Sequence, residues 1–243
     1  MNTSQAKTTA FLLIAEVLLF IIMEVVGTMT GFAPGVDRSL DQFLPAVAQN
    51  HSGLIIVYLA YVFSGVVLIP IALLLPRLFS EQDSLLQRVG VAFGITSAIL
   101  RIISVSRYLF FVPFLADTYV SNPSSRSTVI FAYQANDAFA GAGLGEYLGD
   151  GLFLCLWLSI IVFSILRTRR LPAWTGWTGA FVAFLLACVV IFSFFPPAAL
   201  LTPLSLAALV LWFIALFIVL LRLPDQRRFQ NLGGKRVQSG SVI

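Results

Sequence analysis

Two arginines and several carboxylates stand inside apolar stretches of this sequence, where charged side chains are rare. Glu146 and Asp150 are four residues apart, so a helix places them one above the other on one face. Arg101 and Arg107 lie in the preceding apolar stretch. Charged groups in hydrocarbon need partners and mark, by default, a binding site or a path for ions or protons. We therefore expect Arg101 to pair with Asp150, and Arg107 to pair with Glu146 or Glu24.

Further polar residues extend this constellation to other stretches. Glu16 and Glu24 share the first apolar stretch and lie within about 80° of each other around a helix. Ser104 and Tyr108 continue the helical stripe of Arg101. Because carboxylates outnumber arginines, the excess acid implies protonated carboxyls, a bound cation or a water-filled cavity that reaches from outside. The alternative is that these groups form ion pairs that only fix helix packing.

Three glycines recur at a spacing of four residues beside the carboxylates of the fourth stretch. Gly141, Gly145 and Gly149 line one stripe of a helix. Small residues at this spacing let the backbone of a neighbouring helix approach closely. The stripe therefore predicts tight packing against another helix, which would position Glu146 and Asp150.

The composition identifies the elements that must hold these residues. Of 243 residues, 59% are hydrophobic and 11% are charged, and the mean hydropathy of +0.95 lies outside the range of soluble domains. We predict an all-α integral membrane bundle of about six transmembrane helices over residues 1–223, followed by a disordered polar tail, 224–243. A short surface helix is predicted near 40–48. The predicted spans cover about 8–30, 53–75, 89–115, 138–166, 174–195 and 202–221.

The basic residues at the span ends predict the orientation in the membrane. If the N-terminus is inside, the only basic residues at the outer span ends are Arg38 and Arg126. By the positive-inside rule, both termini are cytoplasmic. The basic residues then on the inner side are Lys7, Arg77, Arg88, Arg167, Arg169, Arg170, Arg222, Arg227, Arg228, Lys235 and Arg236.

The residue inventory excludes several classes of function. The single histidine, His51, cannot supply a bis-histidine haem or a three-ligand zinc site, and no metal or other cofactor is expected. Walker and dinucleotide-binding fingerprints are missing. Basic residues are not gathered on one face, which argues against a nucleic-acid partner. Cys155 and Cys188 fall at different depths of their spans, so no disulfide is expected between them.

Three motifs resemble the bacterial family known as domain of unknown function 4386. They are QRVGVAFGITSAILRIIS around Arg101, the glycine-rich start of the fourth span, and LPAWTGWTGAF at residues 171–181. The resemblance covers nearly the whole chain. It implies a multi-pass protein of the bacterial cytoplasmic (inner) membrane, and it carries no activity and no catalytic residue across.

Two hypotheses of function follow. In the first, the chain binds or transports protons or a small cationic or amphipathic ligand through a cluster of spans 1, 3 and 4. In the second, it is an accessory or structural protein whose buried ion pairs only fix helix packing and whose glycine stripe meets a membrane partner or a second copy. An intramembrane enzyme ranks below both, because the sequence offers no identifiable nucleophile, base or metal-ligand set.

Overall fold

The computed structural model describes residues 3–33, 39–79, 84–192 and 201–222. Within these ranges every regular element is a helix, and none is a strand. Six helical segments are long and apolar enough to cross a membrane, which confirms the predicted all-α, six-span fold. The predicted tail, 224–243, lies outside the described residues, as do residues 193–200, which include the end of the predicted fifth span.

The fourth span is not a single α-helix. A π-helical segment, Asp137–Phe153, joins helices α5 and α6 within that span. The predicted short surface helix is present as α2. The α-helices in chain order are α1 (Thr3–Thr30), α2 (Leu40–Gln49), α3 (His51–Leu74), α4 (Leu85–Ser121), α5 (Arg126–Asn136), α6 (Leu154–Thr168), α7 (Ala173–Phe192) and α8 (Leu201–Leu221).

The π segment differs from the α-helical geometry that the four-residue spacing indicates. Its backbone hydrogen bonds join residues five apart, as at its end, where the Leu154 amide donates to the Gly149 carbonyl. Glycine suits this wider turn, since a Cβ at Gly151 would lie only 2.8 Å from the Glu146 carbonyl oxygen. A π turn takes more residues than an α turn, and a spacing of four still returns to nearly the same face. The glycine stripe therefore survives the change of helix type.

The six spans pack in a closed order around the polar residues. Helix α1 packs on α3 and α8, and α4 packs on α3 and on the π segment. Helix α7 packs on α6, the π segment and α8, which closes the order. Gly65 of α3 allows a close approach to α4, because a Cβ there would meet Ile102 and the Ala98 carbonyl oxygen.

The two ends of the bundle carry different charges. At one end, the Arg170 guanidinium donates to the Leu78 carbonyl oxygen at 3.2 Å, which ties the α6–α7 turn to the end of α3. We call this the basic end. Its described basic residues are Lys7, Arg77, Arg88, Arg167, Arg169, Arg170 and Arg222.

The opposite end is held together by contacts to aspartates, and we call it the acidic end. The Tyr119 hydroxyl donates to Asp41 at 2.6 Å, and His51 Nε2 lies 3.1 Å from Asp117. The predicted assignment of the basic end to the cytoplasm stays a prediction.

Two apolar cores occupy the interior and meet at the level of Arg101. The core toward the basic end includes Leu13, Trp157 and Ala98, all fully buried. The core toward the acidic end includes Phe20 and Val105. Because Ala98 and Val105 flank Arg101 on α4, this arginine stands at the boundary between the two cores.

Candidate functional site

Arg101 is the centre of a buried polar cluster contributed by four helical segments. Its side chain is only 2% exposed. Arg101 Nε donates to Asp150 Oδ1 at 2.7 Å, and Nη2 lies 2.7 Å from the same oxygen. Arg101 Nη1 donates to Glu16 Oε1 at 2.9 Å and to Ser64 Oγ at 2.8 Å. The predicted pair of Arg101 with Asp150 is therefore present, and Glu16 is a second partner of the same guanidinium.

The two carboxylates of this cluster differ in how fully they are bonded. Asp150, 24% exposed, accepts from Arg101 through Oδ1 and from the Tyr61 hydroxyl through Oδ2 at 2.8 Å. Glu16 is completely buried, and its Oε1 also accepts from the Ser64 hydroxyl at 2.7 Å. Its other oxygen, Oε2, is buried, and no described residue forms a hydrogen bond with it. Glu16 is thus the carboxylate with one oxygen that is free to form a further hydrogen bond.

Two aromatic rings flank the Arg101 guanidinium. Its Cζ lies 5.5 Å from the centroid of Phe20 and 5.6 Å from that of Tyr61. Both distances are within the range of a cation–π attraction, which is strongest where water is excluded. The rings therefore help to keep the guanidinium charged in this buried position.

The glycine stripe sets the register between the π segment and α4. A Cβ at Gly141 would collide with the Arg107 guanidinium, and one at Gly145 would collide with Ser104. A Cβ at Gly149 would meet Leu100 Cβ at 3.1 Å, at the level of Arg101. Each glycine thus admits a side chain of α4, which is the close packing that the spacing indicates.

This register gives Arg107 a different partner from the one predicted. Arg107 Nη2 lies 2.7 Å from Asp137 Oδ1 and donates to the Tyr108 hydroxyl at 3.1 Å. Its Cζ stands 4.6 Å from the Tyr108 ring, which stacks on Tyr58 with a centroid separation of 3.8 Å. Arg107 and Tyr108 therefore form a second polar group, nearer the acidic end than Arg101.

The salt bridge of Arg107 is with Asp137 and not, as predicted, with Glu146 or Glu24. Glu146 follows Gly145 and so lies at the level of Ser104, nearer the basic end than Arg107. Its side chain is exposed. Glu24 is also exposed, because Glu16 faces the interior and a residue eight positions later is rotated by about 80° on an α-helix. Neither carboxylate forms a salt bridge within the described part of the chain. Whether either has a functional role stays a prediction.

Three of the bonded residues were not predicted from the sequence. Tyr61 and Ser64 complete the Arg101 cluster from α3, and Asp137 binds Arg107. The signal for the first two was a run of hydroxyls three residues apart, Tyr58, Tyr61 and Ser64, in an otherwise apolar span. Asp137 gave no such signal, because it stands at the polar start of its span.

The described residues do not converge on a metal site. No three of their His, Cys, Asp or Glu side chains form a group that could hold a metal ion. Both cysteines are free, and Cys155 Sγ lies 3.2 Å from the Ala183 carbonyl oxygen. What the central cluster offers chemically is therefore one guanidinium, two carboxylates and two hydroxyls.

Comparison with known proteins identifies a family. A model of the family described as "Domain of unknown function (DUF4386)" matches residues 8–223, nearly the whole chain. The resemblance drawn from the three sequence motifs is thereby confirmed. No curated protein and no solved structure matches the chain.

Proposed function

The chain belongs to the family of the domain of unknown function DUF4386, and we propose for this member a transport role in which the cluster of Glu16, Arg101 and Asp150 takes up and releases a proton. The family description assigns no activity, so the proposal stands on the site alone. The observation that supports it is the fully buried Glu16 carboxylate, with one oxygen that no described residue bonds.

The charge balance of the cluster favours one bound proton. With both carboxylates ionised, Arg101 neutralises only one of them, and the group carries a net negative charge. Net charge is strongly unfavourable in an interior shielded from water. One proton on a carboxylate makes the cluster neutral, and loss of that proton leaves a charge that must be compensated.

Glu16 is the better proton acceptor of the two carboxylates. Asp150 receives two contacts from Arg101 and one from Tyr61, and charge-assisted bonds of this kind stabilise its ionised form. Glu16 shares one oxygen between Arg101 and Ser64 and keeps the other oxygen free of protein donors. A proton on Oε2 of Glu16 therefore breaks no bond seen in the structure.

Access to the cluster is easier from the acidic end. Asp150 is 24% exposed, whereas Glu16 and Arg101 are 0% and 2% exposed. Glu146, on the same segment and nearer the acidic end, is exposed. In the proposed route, protons reach Asp150 first and Glu16 through it. By the positive-inside rule we assign the acidic end to the outside of a bacterial cytoplasmic membrane.

The test is proton flux into liposomes that contain the purified chain and a pH-sensitive dye. We expect Glu16→Gln, which keeps the shape but cannot titrate, to abolish the flux driven by an imposed pH difference. Glu24→Gln is the matched control, because Glu24 is an exposed acid on the same helix, and it should leave the flux unchanged. Flux that follows Na⁺ or K⁺ gradients instead would identify a small cation as the occupant, and equal flux in both variants would refute the proposal.

A structural role is the competing proposal, and the full bonding of Arg101 favours it. A charge exchange separates the two accounts. Arg101→Asp combined with Asp150→Arg retains one ion pair and could restore folding of the bundle. If the exchanged chain folds and retains its cellular function, the cluster only packs helices. If it folds but conducts no protons, the placement of the charges relative to Glu16 matters, as the transport role requires.

A further inference from the structure

Three buried polar atoms without a protein partner follow one another from the cluster toward the basic end. They are Glu16 Oε2, Ser97 Oγ and Trp157 Nε1. All three side chains are fully buried. No hydrogen bond to these atoms comes from any residue that the structure describes.

The helix geometry places these atoms along one face of α4. Ser97 precedes Arg101 by four residues, so it lies on the same face, about 6 Å closer to the basic end. Gly94 continues that face by another turn. The Cβ position of Gly94 lies 2.9 Å from Trp157 Nε1, which shows that the indole N–H borders α4 at this level. Arg101, Ser97 and Gly94 therefore mark about 10 Å of α4 from the proposed proton site toward the basic end, and Trp157 Nε1 lies at the far end of this stretch.

Their bonding capacities complement one another. The indole N–H only donates, the serine hydroxyl both donates and accepts, and a carboxylate oxygen accepts or, when protonated, donates. A buried polar group without a partner is unfavourable, and most such groups in proteins are satisfied by protein atoms or by ordered water. Trp157 belongs to the same core as Leu68 and Leu158, whose side chains have no polar atoms.

We propose that these three atoms bind a short file of buried water molecules between the central cluster and the basic end. The inference rests on the proposed function in one respect, since the file would carry the proton that Glu16 releases. Glu16 Oε2 gives its proton to the first water, and a proton leaves the far end of the file near Trp157, so charge and atoms balance. The apolar core toward the basic end then surrounds this path with side chains that cannot accept or donate a proton.

X-ray radiolytic footprinting tests the water file without relying on transport. Hydroxyl radicals formed from bound water oxidise the nearest side chains, and mass spectrometry locates the products. Trp212 is the matched control, because it is equally buried but its Nε1 already donates to the Thr175 carbonyl oxygen at 2.9 Å. We expect Trp157 to be oxidised severalfold faster than Trp212. Equal protection of both tryptophans would overturn the inference.

A serine pair on α4 adds a second comparison. Ser97→Ala removes one group that holds the file, and it should lower the oxidation of Trp157 severalfold. Ser106→Ala is its control, because the Ser106 hydroxyl already donates to the Ile103 carbonyl oxygen at 2.7 Å. It should leave the oxidation unchanged. An identical oxidation rate of Trp157 in both variants would also count against the file.

Proton flux in the same variants separates the water file from the proposed function. If the wild-type chain conducts protons and Ser97→Ala slows the flux severalfold, both proposals gain support. If the wild-type chain conducts but Trp157 is protected like Trp212, the file is refuted and the transport role stands. If Trp157 is oxidised rapidly but no variant conducts, the transport role fails and the file is a structural hydration site.

Discussion

A double-mutant cycle on Glu16 and Asp150 gives the sharpest test of how the central cluster is charged. Both residues contact the guanidinium of Arg101, which is 2% exposed. Either carboxylate alone can neutralise it. We therefore expect Glu16→Gln and Asp150→Asn to be tolerated singly and poorly tolerated together.

The expected loss of unfolding free energy depends on which buried groups each substitution leaves without a partner. Glu16→Gln imitates the protonated side chain, and we expect it to lower the free energy of unfolding by less than about 1 kcal/mol. Asp150→Asn weakens bonds to Arg101 and Tyr61, but Glu16 can ionise in compensation, so the loss should be about 1–2 kcal/mol. The double variant leaves a buried guanidinium without a carboxylate and should lose about 3–5 kcal/mol. The coupling is then on the order of 1–2 kcal/mol.

The assay is reversible unfolding in mixed micelles of mild detergent and SDS, followed by tryptophan fluorescence. Glu24→Gln is the control, because Glu24 forms no salt bridge with Arg101, and its effect should add to that of Asp150→Asn within about 0.5 kcal/mol. Additive losses within about 0.5 kcal/mol would refute the shared-counterion account. A loss of about 3 kcal/mol or more from Glu16→Gln alone would show that Glu16 is ionised at rest and acts as a packing ion pair.

Three further predictions concern the frame around the cluster. Gly145→Ala places a methyl group against Ser104 and should lower the free energy of unfolding by about 1–3 kcal/mol; Ser104→Gly should restore part of that loss in the same SDS titration. Asp137→Asn should change stability by less than about 1 kcal/mol, because the Asp137 side chain is 46% exposed; a larger loss would show that its ion pair is shielded from water. In a chain without its own cysteines, Ser124→Cys should react with an impermeant maleimide added to whole cells, whereas Thr168→Cys should react only after lysis. The reverse pattern would show that the assigned orientation is inverted.

The sequence alone was sufficient for the helices and for the central ion pair. Apolar runs of membrane-spanning length must be helical, because a helix satisfies every backbone polar group within the segment. A guanidinium such as that of Arg101 inside such a run needs an acidic partner, and Asp150 lay at a matching depth. The glycine stripe likewise indicated a close helix contact, since only small residues permit one.

Tertiary packing decided which other residues join the site. The rotation of α1 turned Glu16 inward and Glu24 outward, and no local pattern distinguishes these two acids. The fit of Gly141, Gly145 and Gly149 against α4 set the register, in which the salt bridge of Arg107 is with Asp137 and not with Glu146.

The π-helical form of the fourth span and the hydroxyls of α3 also emerged only from the folded chain. A four-residue glycine spacing fits an α turn and a π turn almost equally, so the spacing could not reveal the helix type. Tyr61 and Ser64 reach Arg101 because Gly65 lets α3 lie close to α4. Local sequence determines which helices form, whereas the rotation and register of each helix depend on side chains that are distant in the chain and meet only on packing.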